Sequence, residues 1–231
     1  MGRNKLFKFE ALRQLEFVYE NKDHENPVLT DSKNNVVDLK GKWCTEHFKN
    51  QNPLVLELAC GRGEYSLGLA QLYPNKNFIG LDIKGARLFQ GSEKAISLNL
   101  KNVAFLRTRI EQINLFFNIN EVDEIWITFP DPFLRESKSN RRLTSLPFLE
   151  RFYPLLKLGG NINLKTDSDE LFNFTLETLQ NQNLFTLKAS NENIYASEII
   201  DESLQIQTYY ERMHLAAKKT IKFVTFSKVL F

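Results

Sequence analysis

The chain has 231 residues, 42% hydrophobic and 25% charged, with 30 Lys+Arg against 28 Asp+Glu and a net charge of +2. This ordinary globular balance excludes disordered, collagen-like and coiled-coil architectures, and leaves any nucleic-acid partner to be recognised by local charge clusters. Two cysteines exclude a disulfide framework, no apolar run approaches the ~18 residues of a membrane span, and no signal-peptide or myristoylation pattern is complete, so a cytoplasmic protein is expected. The length fits a single domain over residues 1–231, with 1–50 as an N-terminal helix and surface arm and 51–231 as the core.

Leu12, Leu15, Phe17, Val18 and Tyr19 are spaced for an amphipathic helix, and the polar stretch Asn21 to Lys42 wraps the surface. Pro53 to Leu58 is a strand ending in a glycine turn, followed by a helix from Glu64 to Leu72 that stops at Pro74. Asn77 to Leu81 is a strand, Lys84 to Leu98 a helix, Val103 to Leu106 a strand, and a brief helix follows from Ile110. Val122 to Phe129 is the fourth strand; Ser145 to Leu156 is a helix stopped by Gly159-Gly160. Asn161 to Lys165 is the fifth strand, and Ser168 caps a helix reaching about Asn181. Two more strands lie near Phe185 and from Ile221 to Phe226. Strands alternating with helices predict an α/β fold with a mostly parallel sheet and helices on both faces. Ligands then bind beyond the carboxyl ends of the strands.

The first of those ends is Glu57-Leu-Ala-Cys-Gly-Arg-Gly-Glu64. Gly61 and Gly63 permit a tight turn and a close approach of a ligand to the backbone. Asp82 ends the next strand, where an acid accepts hydrogen bonds from a ribose diol. Ser66 replaces the third glycine of the dinucleotide fingerprint. That disfavours a pyrophosphate and suits a nucleoside without phosphates, such as S-adenosylmethionine. Its sulfonium and ammonium groups make Glu57 electrostatically sensible; the other reading of Glu57 is a cap or an ion pair with Arg62. Cys60 reads as a packing residue, since no neighbour would activate its thiol.

The fourth strand runs into Pro130-Asp131-Pro132, and the prolines hold Asp131 rigidly at the sheet edge. Asp131 is either a turn former or a functional acid there. Arg135, Lys138, Arg141 and Arg142 then fall within eight residues that hold one acid, Glu136. A charge run is commonly a solvated face, but its place beside the sheet edge points to phosphate contact. Arg3, Lys5, Lys8 and Arg13 either extend that basic surface or form an exposed helix face. No metal-ligand cluster has convincing spacing.

On these stretches the chain resembles the bacterial tRNA (guanine-N7)-methyltransferase family of the TrmB type. Further matches are Phe78-Ile-Gly-Leu-Asp-Ile-Lys84, Leu100-Lys-Asn-Val103, Phe129-Pro-Asp-Pro132, Arg141-Arg-Leu143, Leu155-Leu-Lys-Leu-Gly-Gly160, Lys165-Thr-Asp167 and Thr208-Tyr-Tyr-Glu211, in family order from about residue 53 to the C-terminus. The resemblance implies a class I S-adenosylmethionine-dependent methyltransferase with a Rossmann-like, seven-stranded, mostly parallel sheet. It implies methyl transfer to N7 of a guanosine in the tRNA variable loop. It makes Glu57, Gly61, Gly63, Asp82, Arg109 and Asp131 cofactor-binding residues and Asp131 catalytic. It makes Arg135, Lys138, Arg141, Arg142, Asp167, Thr208, Tyr209, Tyr210 and Glu211 substrate-binding. Departures are Ala59 for the usual first glycine, Phe133 for a usual Trp, Leu134-Arg135 for a more basic stretch, and Arg109 where many members carry an acid or amide facing the adenine.

Guanine N7 carries a lone pair and no proton, so its methylation needs no general base. None of His24, His47 and His214 falls in an expected catalytic turn, and each reads as surface or core. Tyr209 and Tyr210 read equally as base-stacking residues and as core on a strand edge. Two alternatives remain at this stage. Asp-Pro-Phe loosely matches the motif of amino-group methyltransferases acting on adenine, and Ala59 with Arg109 would suit a methyltransferase-like RNA-binding protein without turnover.

Overall fold

In a computed structural model of the chain, residues 15–196, 198 and 201–229 are described. They divide after Asn118 into two units. Arg3, Lys5, Lys8, Arg13 and Leu12 lie outside the described residues.

The first unit carries strands β1 (Val18–Glu20), β2 (Leu54–Leu58), β3 (Asn77–Asp82) and β4 (Val103–Arg107), in the order β1-β4-β3-β2. The pairs β1–β4, β3–β4 and β2–β3 are parallel, and the register sets Glu57 against Gly80 and Asp82 against Arg107. Every residue of β2 and β3 is buried, as parallel strands covered on both faces require. Helix α1 (Glu64–Leu72) begins where Gly63 takes φ +65° and ends two residues before Pro74; α2 (Gly85–Ser97) follows β3. Both pack on β4, and α1 also on β2 and β3. A short 3-10 helix spans Ile110–Leu115.

The N-terminal expectation needs correction. Phe17 lies outside any helix, and Val18–Glu20 form a strand paired with β4, Val18 opposite Phe105. A three-residue strand buried throughout has the same continuous apolar look as one turn of a helix. The polar stretch after it is pinned by bridges between Glu20 and Thr30 and between Thr30 and Val36. A π-helical turn, Trp43–His47, then buries Trp43 completely, its Nε1 donating to the Phe116 carbonyl at 2.8 Å.

The second unit carries β5 (Val122–Thr128), β6 (Leu156–Thr166), β7 (Phe185–Asn191) and β8 (Lys222–Lys228), in the order β5-β6-β8-β7. The β5–β6 pair is parallel; β6–β8 and β7–β8 are antiparallel. Its helices are α3 (Leu146–Phe152), α4 (Asp169–Gln180), α5 (Glu202–Gln205) and α6 (Tyr209–Ala216). Helix α3 stops at Phe152 rather than at Leu156, because Pro154 cannot continue it. Strand β6 starts five residues earlier than expected, carrying a bulge opposite β5 and Gly159 at φ +73°. Ser168 caps α4 as expected, its Oγ accepting from Leu171 N at 3.1 Å. The described residues hold eight strands in place of the seven expected; β1 is the addition.

Candidate active site

The carboxyl ends of β2 and β3 meet around the glycine turn of the first unit. Ala59 takes φ +57°, Gly61 φ +58° and Gly63 φ +65°, so the turn is left-handed at three points. Ala59 therefore adopts the backbone its usual glycine would have, at a steric cost of about 1–2 kcal/mol, and the substitution leaves the turn intact. A Cβ on Gly61 would meet only the Arg87 guanidinium, at 3.9 Å, which leaves open space against that backbone. A Cβ on Gly63 would fall 2.4 Å from the Phe105 ring, so this glycine is required by packing as well as by φ.

Glu57 is 3% exposed, and its Oε2 accepts from Ser66 N at 2.8 Å and from Ser66 Oγ at 2.5 Å. The residue that replaces the third glycine thus anchors the acid to the first turn of α1, where a carboxylate is favoured by unpaired backbone N–H groups. Asp82 is 7% exposed; its Oδ2 accepts from Gly61 N at 2.9 Å and its Oδ1 from Lys84 N at 2.7 Å. Each Asp82 oxygen has lone-pair capacity left for a hydroxyl. Burial, followed by Glu57 and Asp82, pushes the Cys60 thiol well up, so it stays protonated and inert. Arg109 is exposed at the start of the 3-10 helix, its carbonyl accepting from Gln112 N at 3.0 Å. The preceding Thr108 donates its N–H to the Asp82 carbonyl at 3.2 Å. Two buried acids beside an open glycine turn fit a cationic nucleoside.

In the second unit the chain leaves β5 through Phe129 at φ +48° and passes Pro130-Asp131-Pro132 to Phe133 at φ +42°. Asp131 is exposed, and its Oδ1 accepts from Phe133 N at 3.0 Å, leaving Oδ2 toward solvent or a ligand. Arg142 supports this loop from beneath. Its Nε donates to the Pro132 carbonyl at 3.0 Å, and one terminal nitrogen donates to the Phe133 carbonyl at 3.2 Å and to Glu170 at 3.0 Å. Its guanidinium stacks on Phe174 at 4.4 Å and the residue is 1% exposed. Arg142, expected as a phosphate contact, is instead almost fully buried as a strut for this loop and is not presented beside Arg135, Lys138 and Arg141. Arg135, Lys138 and Arg141 are exposed, and residues 136–141 form a 3-10 helix rather than an irregular loop.

Asp167 follows β6, with its Oδ2 bonded to Lys219 Nζ at 2.6 Å and 3.3 Å from His214 Nδ1. Thr208 caps α6, its Oγ1 accepting from Glu211 N at 3.1 Å. Tyr209 and Tyr210 lie in the first turn of α6, 42% and 40% exposed, which corrects the core-strand reading. Glu211 is corrected as well. It is fully buried, its Oε1 accepting from Lys165 Nζ and from the Tyr195 hydroxyl, each at 2.8 Å. Lys165 also donates to the Leu204 and Ile206 carbonyls, at 2.7 and 3.0 Å. Burial pushes the Lys165 ammonium down and Glu211 opposes the shift; burial and Glu211 raise the Tyr195 hydroxyl to about 12. Glu211 thus ties α6 to β6 and presents no surface to a base. The sequence signal for the helix was present, since Thr208-Tyr-Tyr-Glu211 has the spacing of a capping box. His214, read from the sequence as surface or core, is part-buried in α6. Its ring stacks on Phe129, centroids 5.8 Å apart at 21°.

Residues 51–224 match a family described as putative methyltransferase. The chain is 44% identical to the tRNA (guanine-N(7)-)-methyltransferase of Bacteroides fragilis over 98% of its own length and 86% of that protein's. It is also 44% identical to the tRNA (guanine-N(7)-)-methyltransferase of Christiangramia forsetii, over 97% of this chain and 98% of the relative. Among solved structures it is similar to the 16S rRNA methyltransferase KamB, with TM-score 0.62 at 15% identity, covering 85% of this chain and 97% of that one. TrmN from Thermus thermophilus gives TM-score 0.56 at 20% identity, covering 82% of this chain and 48% of TrmN. These structural likenesses carry the class I methyltransferase fold.

Proposed function

Since the chain belongs to the tRNA (guanine-N7)-methyltransferase family, we propose that its first unit holds the methyl donor and that Asp131 and its neighbours in the second orient the guanosine. The enzyme transfers a methyl group to N7 of guanosine in tRNA, and its donor is S-adenosylmethionine. When bound, S-adenosylmethionine supplies an electrophilic methyl group on a sulfonium.

Glu57 and Asp82 hold the donor, with Gly61 giving it access to the backbone and Arg109 lying toward its adenine. Buried carboxylates favour its cationic groups, and Asp82 retains acceptor capacity for the ribose hydroxyls. On the acceptor side no proton leaves N7, so the residues orient rather than deprotonate. Correct alignment of reactants is worth roughly 7–11 kcal/mol. As the purine turns cationic, Asp131 and Asp167 favour the developing charge. A carboxylate also accepts from N1–H and the 2-amino group of guanine, which adenine cannot offer in that pattern. Phe133 and Tyr209 provide aromatic faces for an unstacked base. Arg135, Lys138 and Arg141 take the tRNA phosphates. We place the enzyme in the cytoplasm, where tRNA is.

The observation carrying this reading is the rigid Pro130-Asp131-Pro132 loop, set between two left-handed phenylalanines and strapped by Arg142, with the Asp131 carboxylate exposed. The test is Asp131→Ala with labelled S-adenosylmethionine and unmodified tRNA, followed by nucleoside identification. The variant should melt like the wild type and lose turnover by a factor of about 100 or more. Near-normal 7-methylguanosine formation would remove Asp131 from the reaction.

A further inference from the structure

His214 belongs to none of the stretches that mark the family, yet it touches two of the loops that the proposed reaction uses. Glu211 is fixed by its buried bonds to Lys165 and Tyr195. A residue three positions along a helix projects from the same side, so anchoring Glu211 also aims His214. The imidazole lies over Phe129, nearly parallel to it at 5.8 Å, and its Nδ1 stands 3.3 Å from Asp167 Oδ2.

Phe129 and Asp167 sit at the ends of adjacent strands. Thr128 pairs with Lys165, and Phe129 N donates to the Lys165 carbonyl at 2.8 Å. Beyond that bond the two chains part. One turns left-handed at Phe129 toward Asp131; the other passes Thr166 into the cap of α4. The same imidazole stacks on the first and meets the carboxylate of the second. Lys219 also donates to that carboxylate, at 2.6 Å, but its side chain is half exposed. The His214 side chain is 24% exposed and its ring is held on a face, so it fixes direction as well as distance.

We propose that His214 is a positioning residue for methyl transfer: it sets the Asp167 carboxylate and the Phe129 turn, and through that turn Asp131, in the mutual arrangement the guanine requires. The inference rests on the roles given above to Asp131 and Asp167. It assigns His214 no proton transfer, since N7 alkylation calls for none.

The two contacts can be removed separately. His214→Phe keeps an aromatic ring over Phe129 and loses the polar contact with Asp167. His214→Asn keeps a donor close to the Nδ1 position and loses the stacking. His214→Ala loses both. Each is assayed for kcat and KM with tRNA and S-adenosylmethionine, and for its melting temperature, with Asp131→Ala run alongside. Losing the contact that sets the Asp167 carboxylate should cost about 10- to 100-fold in kcat for His214→Phe and His214→Ala. The KM for S-adenosylmethionine should stay within about twofold, and His214→Asn should recover part of the loss. On an Asp167→Asn background, His214→Phe should add little further loss, because the shared interaction is already gone. The proposal is overturned if every His214 variant turns over within about threefold of wild type while Asp131→Ala is inactive. It is equally overturned if the losses follow melting temperature alone and His214→Asn recovers nothing. If Asp131→Ala stays active, the functional reading beneath the proposal fails, and the two failures are thereby told apart.

Discussion

Replacing Lys165 with methionine keeps the length of the side chain and removes an ammonium with three acceptors: Glu211 Oε1 at 2.8 Å and the Leu204 and Ile206 carbonyls at 2.7 and 3.0 Å. Both members of the ion pair are fully buried, so neither solvent nor salt screens the loss. Removing one partner of a buried pair costs about 3–5 kcal/mol, since the other charge is left without compensation. The Tyr195 hydroxyl still donates to Glu211 at 2.8 Å, which places the expectation near the lower end. For a chain of this length each kcal/mol moves the melting temperature by about 2–4 °C, so Lys165→Met should lower it by roughly 6–12 °C. Urea unfolding in a Trp43→Phe background reads the second unit through Trp126, the chain's other tryptophan. The double variant Lys165→Met, Glu211→Leu should recover much of the loss, because replacing both charges leaves no orphan. A loss below about 1 kcal/mol for Lys165→Met, or simple additivity of the two changes, would refute the view that this pair holds α6 in place.

Three further outcomes follow from other parts of the molecule. Gly63→Ala puts a Cβ 2.4 Å from the Phe105 ring at φ +65° and should cost about 2–3 kcal/mol, whereas Gly61→Ala, with open space around it, should cost about 1–2; equal melting temperatures for the two would contradict the packing argument. Burial, with Lys49 second, holds His47 at about 4, below its ordinary 6.5, so folding favours the neutral ring. The contribution is full above pH 6.5 and is lost as pH falls toward 4, by about 3 kcal/mol at most, and His47→Gln should flatten the stability–pH curve in that window; an unchanged slope would sink the assignment. Replacing Arg135, Lys138 and Arg141 with alanine should lessen the slope of log tRNA affinity against log salt by up to about 2–3, while Arg142→Ala should leave the slope alone and lower the melting temperature; the reverse pattern would put Arg142 on the RNA.

The parts of the fold that were legible in the sequence are those bounded by local chemistry. Helix α1 lies between Gly63 and Pro74, α4 is capped by Ser168, and β2 to β5 are short runs ended by turns, while β6 was legible only from Asn161. The short strand β1 was not legible, because its partner Phe105 lies far along the chain and three buried residues have no period to read. The site divides in the same way. The glycine turn, Asp82 and the Pro130-Asp131-Pro132 loop announce themselves through backbone-restricting residues close by. The roles of Arg142 and Glu211 depend on Glu170 and Lys165, which the sequence sets 28 and 46 positions away, so a charge meant for burial looked like one meant for a ligand. His214 was hidden for the same reason, since Phe129 and Asp167 reach it only through the fold.

Phe129 and Phe133 hold left-handed backbone on either side of two prolines, in a loop already strapped by Arg142. The disorder such a loop would otherwise surrender on meeting RNA is surrendered when the chain folds. The heat-capacity change of tRNA binding should then reflect the apolar surface covered, without the excess that accompanies folding of a segment onto its partner. A glycine at either phenylalanine would ease the backbone and shift that ordering into the encounter. Affinity would then fall through entropy, over and above the loss of the ring's own contacts.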